Sequence, residues 1–481
     1  MRLALGMLAW ASFVLAQGYY LKKARHFFIG SPLHEVPLCA IQDGEGFLYI
    51  GGYAQEKSFS LSDGWLVCST QEGNILWQIH PGGLGPDRIE DIAVRDSVLY
   101  FCGSSGSALS HPEELPVERR SDFWVGAVEK STGRMLWQRR WGSPRIDMSH
   151  TLVVTSYRTL IVGGVTWEDS LMGMQGVLFL LRAQDGEILQ KRLWGHPQSL
   201  ITKIRPVPNS TYLACLGEQR YIPFLAGIDA WGQVYWRIHL QSFRFPSRLR
   251  ALSTSEDGRI WIGGQREGQW SFLCASPEGR IVWEQTWPDN GLTGEIFSVA
   301  SGAHPEILHV LGWQYGDKLV SPEQRGDRDI WLSALSAEGK ILWERGLGGP
   351  YAEEGVALLS KPPFSIIIAA KQNTLSSSQQ GDAWVVVLEA VPCSELPLQA
   401  RTSATAKERA GSAVSFWVET RPGYELAHVS WDFGDGTRAE GKEVQHTFGT
   451  PGTYIVQAIV GLKYGCAEVY LEPLTVRVSR P

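Results

Sequence analysis

Ten ionisable side chains fall in short connections that recur along this chain: Asp87, Arg88, Asp147, His150, His196, Arg244, Arg248, Asp289, Glu353 and Glu354. Carboxylates, guanidiniums and imidazoles gathered on the loop side of a rigid scaffold can hold a polar ligand through charge-assisted hydrogen bonds. They do not spell out a catalytic set. The G-x-S-x-G elbow and the H-E-x-x-H pair are absent, and the eleven histidines are scattered. Four further acids, Asp63, Asp122, Asp329 and Asp382, return at one position of a repeat, which fits capping of backbone N–H groups better than chemistry.

Five of the seven cysteines, Cys39, Cys68, Cys102, Cys215 and Cys274, fall in or beside expected strands and read as small buried hydrophobes. Cys393 and Cys466 lie outside the repeat, where export would permit a disulfide, and the sequence leaves both the paired and the free state open. C-x-x-C pairs with zinc-ligand spacing are missing. Asp432 and Asp435 could hold calcium, but hydrogen bonding within their own turn is the simpler reading. The expectation is a protein with no cofactor and no metal.

The elements that must position these groups are strands. Ser121–Gly142 reads SDFWVGAVEKSTGRMLWQRRWG: a Trp- and Val-rich strand, a Ser-Thr-Gly turn, and a second strand opening on Met135-Leu136-Trp137. The same sentence recurs from Asp63 to Trp77, Gly176 to Leu189, Phe224 to Trp236, Trp270 to Trp283 and Asp329 to Trp343. A strand closing on glycine precedes each copy, as in Leu48–Gly52, Leu99–Gly103 and Ile260–Gly264, and a more variable strand precedes that. Four strands per unit at the propeller-blade period of ~40–50 residues predict an all-β fold, a seven-bladed β-propeller.

A seventh start, Asp382–Val387, lacks its outer strand, while Tyr20–Gly30 looks like an outer strand with no blade before it. The N-terminal strand is therefore expected to complete the last blade and close the ring, which removes open sheet edges. Tryptophans fall in two columns, Trp65, Trp124, Trp331 and Trp384, and Trp77, Trp137, Trp236, Trp283 and Trp343, and read as packing between blades.

Residues 1–16 read as a signal peptide: Arg2, an apolar run Leu3–Leu15, and a small-residue site at Val14-Leu15-Ala16. Residues 17–391 are assigned to the propeller, 392–402 to a linker carrying Pro392 and Pro397, and 403–481 to a second domain. No later run is long and apolar enough for a membrane span. The 44 basic and 50 acidic residues are nearly balanced without a basic cluster, which argues against nucleic acid as partner.

Two resemblances follow. Val128-Glu129-Lys130-Ser131-Thr132-Gly133-Arg134-Met135-Leu136-Trp137 resembles the A-x-D-x-x-T-G-x-x-x-W motif of quinoprotein-type (PQQ-type) repeats, and Asp329–Gly349 (DIWLSALSAEGKILWERGLGG) is similar to the blades of secreted Bacteroidetes-type propellers. Trp431-Asp432-Phe433-Gly434-Asp435-Gly436, His446-Thr447-Phe448 and Gly452-Thr453-Tyr454 resemble the PKD domain, which implies an immunoglobulin-like β-sandwich. Quinone chemistry usually comes with eight blades and a vicinal disulfide, and this chain has neither the blade count nor a Cys-Cys pair.

The functional expectation is an exported, non-enzymatic binding or scaffold protein, monomeric, periplasmic or secreted. It would engage an envelope or extracellular protein through the propeller loop face and the PKD module. Polysaccharide binding is the alternative, and a quinone-dependent dehydrogenase is the reading from another class.

Overall fold

The computed structural model describes the chain outside residues 1–18, 32, 56–61, 84, 107–120, 169–172, 196, 244–246, 288–292, 302–306, 316–328, 349–351, 362–364, 374–382, 405–407 and 481. The expected signal peptide, His196, Arg244, Asp289, Asp382 and most of the long loops lie outside the described residues. The chain divides into two compact units. One holds His26–Lys361 and Ile367–Val387; the other holds the chain up to Arg25, Pro362–Ile366 and Leu388–Pro481.

The first unit is a seven-bladed β-propeller. The first six blades are each an antiparallel four-stranded sheet, as in His34–Gln42, Leu48–Gln55, Asp63–Ser69 and Ile75–Ile79 of blade one. The inner strands of the following blades are Asp87–Arg95, Met148–Val154, Ser199–Pro206, Arg248–Thr254, Thr293–Ser301 and Ala352–Lys361. Each packs beside the next, and the last packs beside the first. Blade seven is completed by the N-terminal strand Tyr19–Ile29, which lies next to Ala383–Pro392 in its sheet.

Two repeated contacts bind blade to blade. In most blades the turn before the outer strand carries a glycine with positive φ, such as Gly73 at 90°, Gly133 at 72° and Gly339 at 82°. The aromatic of the preceding outer strand lies flat on it, so a Cβ at Gly133 would sit 2.6 Å from Trp77 and one at Gly339 2.7 Å from Trp283. Three of these indole N–H groups then donate to a carbonyl of the neighbouring turn: Trp77 to Lys130 at 2.9 Å, Trp137 to Ala183 at 3.1 Å, Trp283 to Ala337 at 2.9 Å. Phe27 takes this place in blade seven and covers Gly73 of blade one, where a Cβ would sit 2.6 Å from its ring. Ile29, Ala357, Ala383, Val385 and Val387 of blade seven share one core with Leu48, Ile50, Trp65 and Val67 of blade one, so the ring closes without a covalent bond.

The second contact sits nearer the axis. Between inner and second strands the pairing register shifts by one residue in six blades, leaving Leu38, Glu90, His150, Thr202, Arg250 and Phe297 as the extra residues of β-bulges. The facing second-strand glycine explains the shift. A Cβ on Gly52, Gly103, Gly164 or Gly264 would overlap the inner-strand carbonyl oxygen of Val36, Arg88, Met148 or Arg248. The residue after the bulge then clasps the next blade: Asp91 accepts the Leu152 N–H at 3.2 Å, Thr151 the Ile204 N–H at 3.0 Å, Ser298 the Leu358 N–H at 3.0 Å.

The second unit contains an immunoglobulin-like β-sandwich built on Phe416, Trp431, Phe433 and Phe448. The segment expected as a linker contributes a strand: Leu398–Thr402 pairs in register with Phe416–Thr420, because its alternating Leu398 and Ala400 supply a face that the sheet can bury. Asp432 accepts the Gly434 N–H at 3.0 Å, and Asp435 accepts from Thr437 and meets the His446 ring at 2.7 Å, so both acids are spent on the turn. Cys393 and Cys466 form a disulfide spanning 73 residues, with Cα atoms 5.7 Å apart. Beside it, Tyr20 pairs with Gly465, and its hydroxyl bridges the Gly423 carbonyl and the Glu425 N–H, each at 3.2 Å.

Two outcomes test these devices. Phe27→Ala is expected to cost the propeller roughly 2 kcal/mol, below a fully buried aromatic truncation because the ring is only partly covered. Denaturant midpoints followed by tryptophan fluorescence read that loss, and an unchanged midpoint would remove Phe27 from ring closure. The double variant Cys393→Ser/Cys466→Ser is expected to destabilise the C-terminal unit by about 4 kcal/mol on a loop-entropy basis, measured in the same way through Trp417 and Trp431.

Candidate functional site

The bulges aim one side chain from each of six blades at the propeller axis. There they line an open cavity of about 580 Å³, within the range of small-molecule sites. Leu38, Glu90, His150, Thr202, Arg250, Phe297 and Val356 form one tier. Two residues earlier on their inner strands, Leu200, Arg248 and Glu354 contribute a second tier, and Lys203 and Glu218 reach in from blade four. Charge and apolarity are unevenly distributed around the ring. Blades four and five supply Lys203, Arg248 and Arg250 together with Glu218; blades six, seven and one supply Phe297, Val356 and Leu38 together with Glu354; blades two and three supply Glu90 and His150.

Beneath this ring Asp91 is the hub of a buried network. Its carboxylate accepts from Arg205 at 3.0 Å and from Thr151 at 2.9 Å, tying blades two, three and four together. Burial pushes the Asp91 carboxyl up, but Arg205 and Lys203 outweigh it and hold it below the usual value. Glu90, next in sequence, has no such partner, and burial pushes its carboxyl up against the pull of Arg88 and Lys203. Burial likewise raises Glu218, with Arg248 and Arg250 opposing. Burial and the Lys203 ammonium push the His150 imidazole down to about 4, so it is neutral at physiological pH. Arg250 is tied to Glu295 at 3.1 Å and lies over the Phe297 ring at 5.9 Å.

Of the ten residues singled out from the sequence, the structure brings His150, Arg248 and Glu354 into the cavity. Arg88 stacks over the Tyr53 ring at 5.0 Å. Asp87, Asp147 and Glu353 are buried at the start of their inner strands. Asp87 accepts the Gly83 N–H at 2.7 Å, and Asp147 accepts the Ser143 N–H, so these acids cap the incoming loops. The recurrent Asp63, Asp122 and Asp329 lie against Gly82, Gly142 and Gly348, packed into the same loops. Glu90, Lys203, Glu218, Arg250 and Phe297 were not singled out. The signal that would have found most of them is the glycine ending each second strand, which places the bulge opposite it.

Outside the repeated columns, Tyr157 and Trp231 stand in neighbouring turns of blades three and four, 64% and 51% exposed, with rings stacked 5.8 Å apart.

Residues 396–478 match the family model of the PKD domain. No curated protein matches the chain. Among solved structures it is similar to the extracellular domain of BT4673 from B. thetaiotaomicron, at 12% identity and TM-score 0.43 over 94% of this chain and 60% of that one. It is also similar to the Dos1 propeller, at 10% identity and TM-score 0.44 over 77% of this chain and 95% of that one. A third is the quinohemoprotein alcohol dehydrogenase ADHIIG from Pseudomonas putida, at 12% identity and TM-score 0.40 over 73% and 66%. The chain thus spans about three fifths of the BT4673 domain.

The buried histidine makes a pH prediction. Between the ordinary histidine value of about 6.5 and about 4, the unfolded chain takes up a proton that folded His150 refuses, so stability falls as pH falls through that window. His309, pushed down to about 3 by burial, acts in the same direction. His150→Asn is therefore expected to make the decline shallower without abolishing it, read from urea midpoints across the window. An unchanged slope would show His150 to be solvated.

Proposed function

We propose that this chain is an exported, non-enzymatic binding protein that works in the cell envelope or outside the cell, taking its ligand at the axial cavity of the propeller. The observation that carries the reading is the cavity itself: a ring on a closed scaffold that brings cationic, acidic and apolar side chains together. Rigid walls of this kind recognise a ligand without first having to order themselves. The Cys393–Cys466 disulfide supports an oxidising compartment, in line with the export signal read at residues 1–16.

A polysaccharide rather than a protein partner is favoured by the exposed Tyr157–Trp231 pair. Flat aromatic faces outside the packing columns offer an apolar surface that a sugar ring can cover. The sandwich would then act as a spacer or a second contact.

Capture from a cell-envelope extract by the purified mature chain tests this reading. The expected result is retained polysaccharide, or one protein in near-stoichiometric amount, that is lost with the cavity variant Arg248→Glu. Capture that Arg248→Glu leaves unchanged, or no capture at all, would remove the cavity from the function.

A further inference from the structure

We propose that the axial cavity takes the carboxylate of a sugar acid, either free or as a residue of an acidic glycan. This rests on the reading of the chain as a binding protein and names the chemistry of its site.

Four cations stand on the inner strands of blades four and five: Lys203, Arg205, Arg248 and Arg250. Arg205 is neutralised by Asp91 at 3.0 Å, and Arg250 by Glu295 at 3.1 Å. Lys203 and Arg248 line the cavity and carry no ion pair among the described residues.

Lys203 is also out of place by the logic of its column. The residue after the bulge is Cys39, Asp91, Thr151, Ala251 or Ser298 in other blades, a small or clasping side chain. Blade four alone among these puts a long ammonium there, and it reaches far enough to act on Glu90, Asp91 and His150. With Glu90 and Asp91 acting on it only through space and no direct ion pair among the described residues, the ammonium keeps its hydrogen-bond donors for an incoming anion.

The remaining walls fit a hydroxylated body rather than a plain fatty or aromatic acid. Glu90 and neutral His150 lie within electrostatic reach of Lys203, and Glu218 adds a further hydrogen-bonding group to the same lining. Burial raises both carboxyls against the pull of the neighbouring cations, and their oxygens can hydrogen-bond the hydroxyl groups of a ligand. Across the ring, Phe297, Val356 and Leu38 give an apolar wall for the C–H face of a sugar.

The test is calorimetric titration of the mature chain with glucuronate, with an oligogalacturonate, and with the methyl ester of that oligogalacturonate, at two salt concentrations. The acids are expected to bind, more weakly at high salt, and the ester not. Lys203→Met is expected to weaken the acids roughly ten- to a hundred-fold, the loss of a hydrogen bond to a charged group. Phe297→Ala is expected to weaken them independently of salt, with unchanged circular dichroism as the check on folding. Tighter binding of the oligomer than of glucuronate identifies a glycan as the source, and equal binding a free sugar acid. An ester that binds as well as the acid, or a Lys203→Met chain that binds as well as the original, overturns the inference. If no uronate binds while envelope capture stays sensitive to Arg248→Glu, the inference falls and the binding reading stands; if that capture fails as well, both fall.

Discussion

One steric conflict organises the propeller: a side chain on the last glycine of a blade's second strand cannot coexist with the carbonyl of the inner strand beside it. With glycine in place the two backbones close, and the inner strand must accommodate one extra residue. That residue turns to the axis, and its successor turns to the next blade. The clasps by Asp91, Thr151 and Ser298 and the cavity lining of Glu90, His150 and Phe297 are thus two products of the same local distortion. Cohesion of the ring and composition of the cavity are set by adjacent positions, and they can vary separately.

How legible this was follows from period and its interruption. Strands, turn glycines, both tryptophan columns and the closure by Tyr20–Gly30 were readable because each repeats a chemical pattern that only one geometry satisfies. The cavity was half readable. His150, Arg248 and Glu354 were found because they stand near expected connections, whereas Glu90, Lys203 and Arg250 sit inside strands where two-residue alternation assigns faces. A bulge shifts that alternation by one residue, so faces read from period alone are inverted beyond it. Asp87 and Asp147 erred the other way: acids at a loop looked available, yet the loop's own N–H groups consume them. Leu398–Thr402 was hidden by the prolines flanking it.

The axis shows how charge is handled in a ring made of near-identical parts. A uniform set of inner strands would give a uniform channel. Here the departures from uniformity are concentrated in blades two to five, and most are neutralised in place, Arg205 by Asp91 and Arg250 by Glu295. Such pairs cost desolvation and return it mainly as fixed geometry. Lys203 gives up a clasp and makes no salt bridge among the described residues. Local inconsistency of this kind, in a sequence otherwise consistent with its fold, marks the positions where something other than stability has chosen the residue.

The strand Tyr19–Ile29 has a consequence in time. It is the first described part of the chain to be made, yet it pairs within the last blade and, through Tyr20, with Gly465. Its partners are separated from it by most of the sequence, so the largest loop in the protein must be closed last. Until then six blades stand as an open arc with sheet edges bare at both ends. A chain crossing a membrane from its N-terminus would present this strand first and its partners only at the end of transit. Closure of the propeller is therefore coupled to completion of the chain, and the period before it is when the bare sheet edges are most open to aggregation.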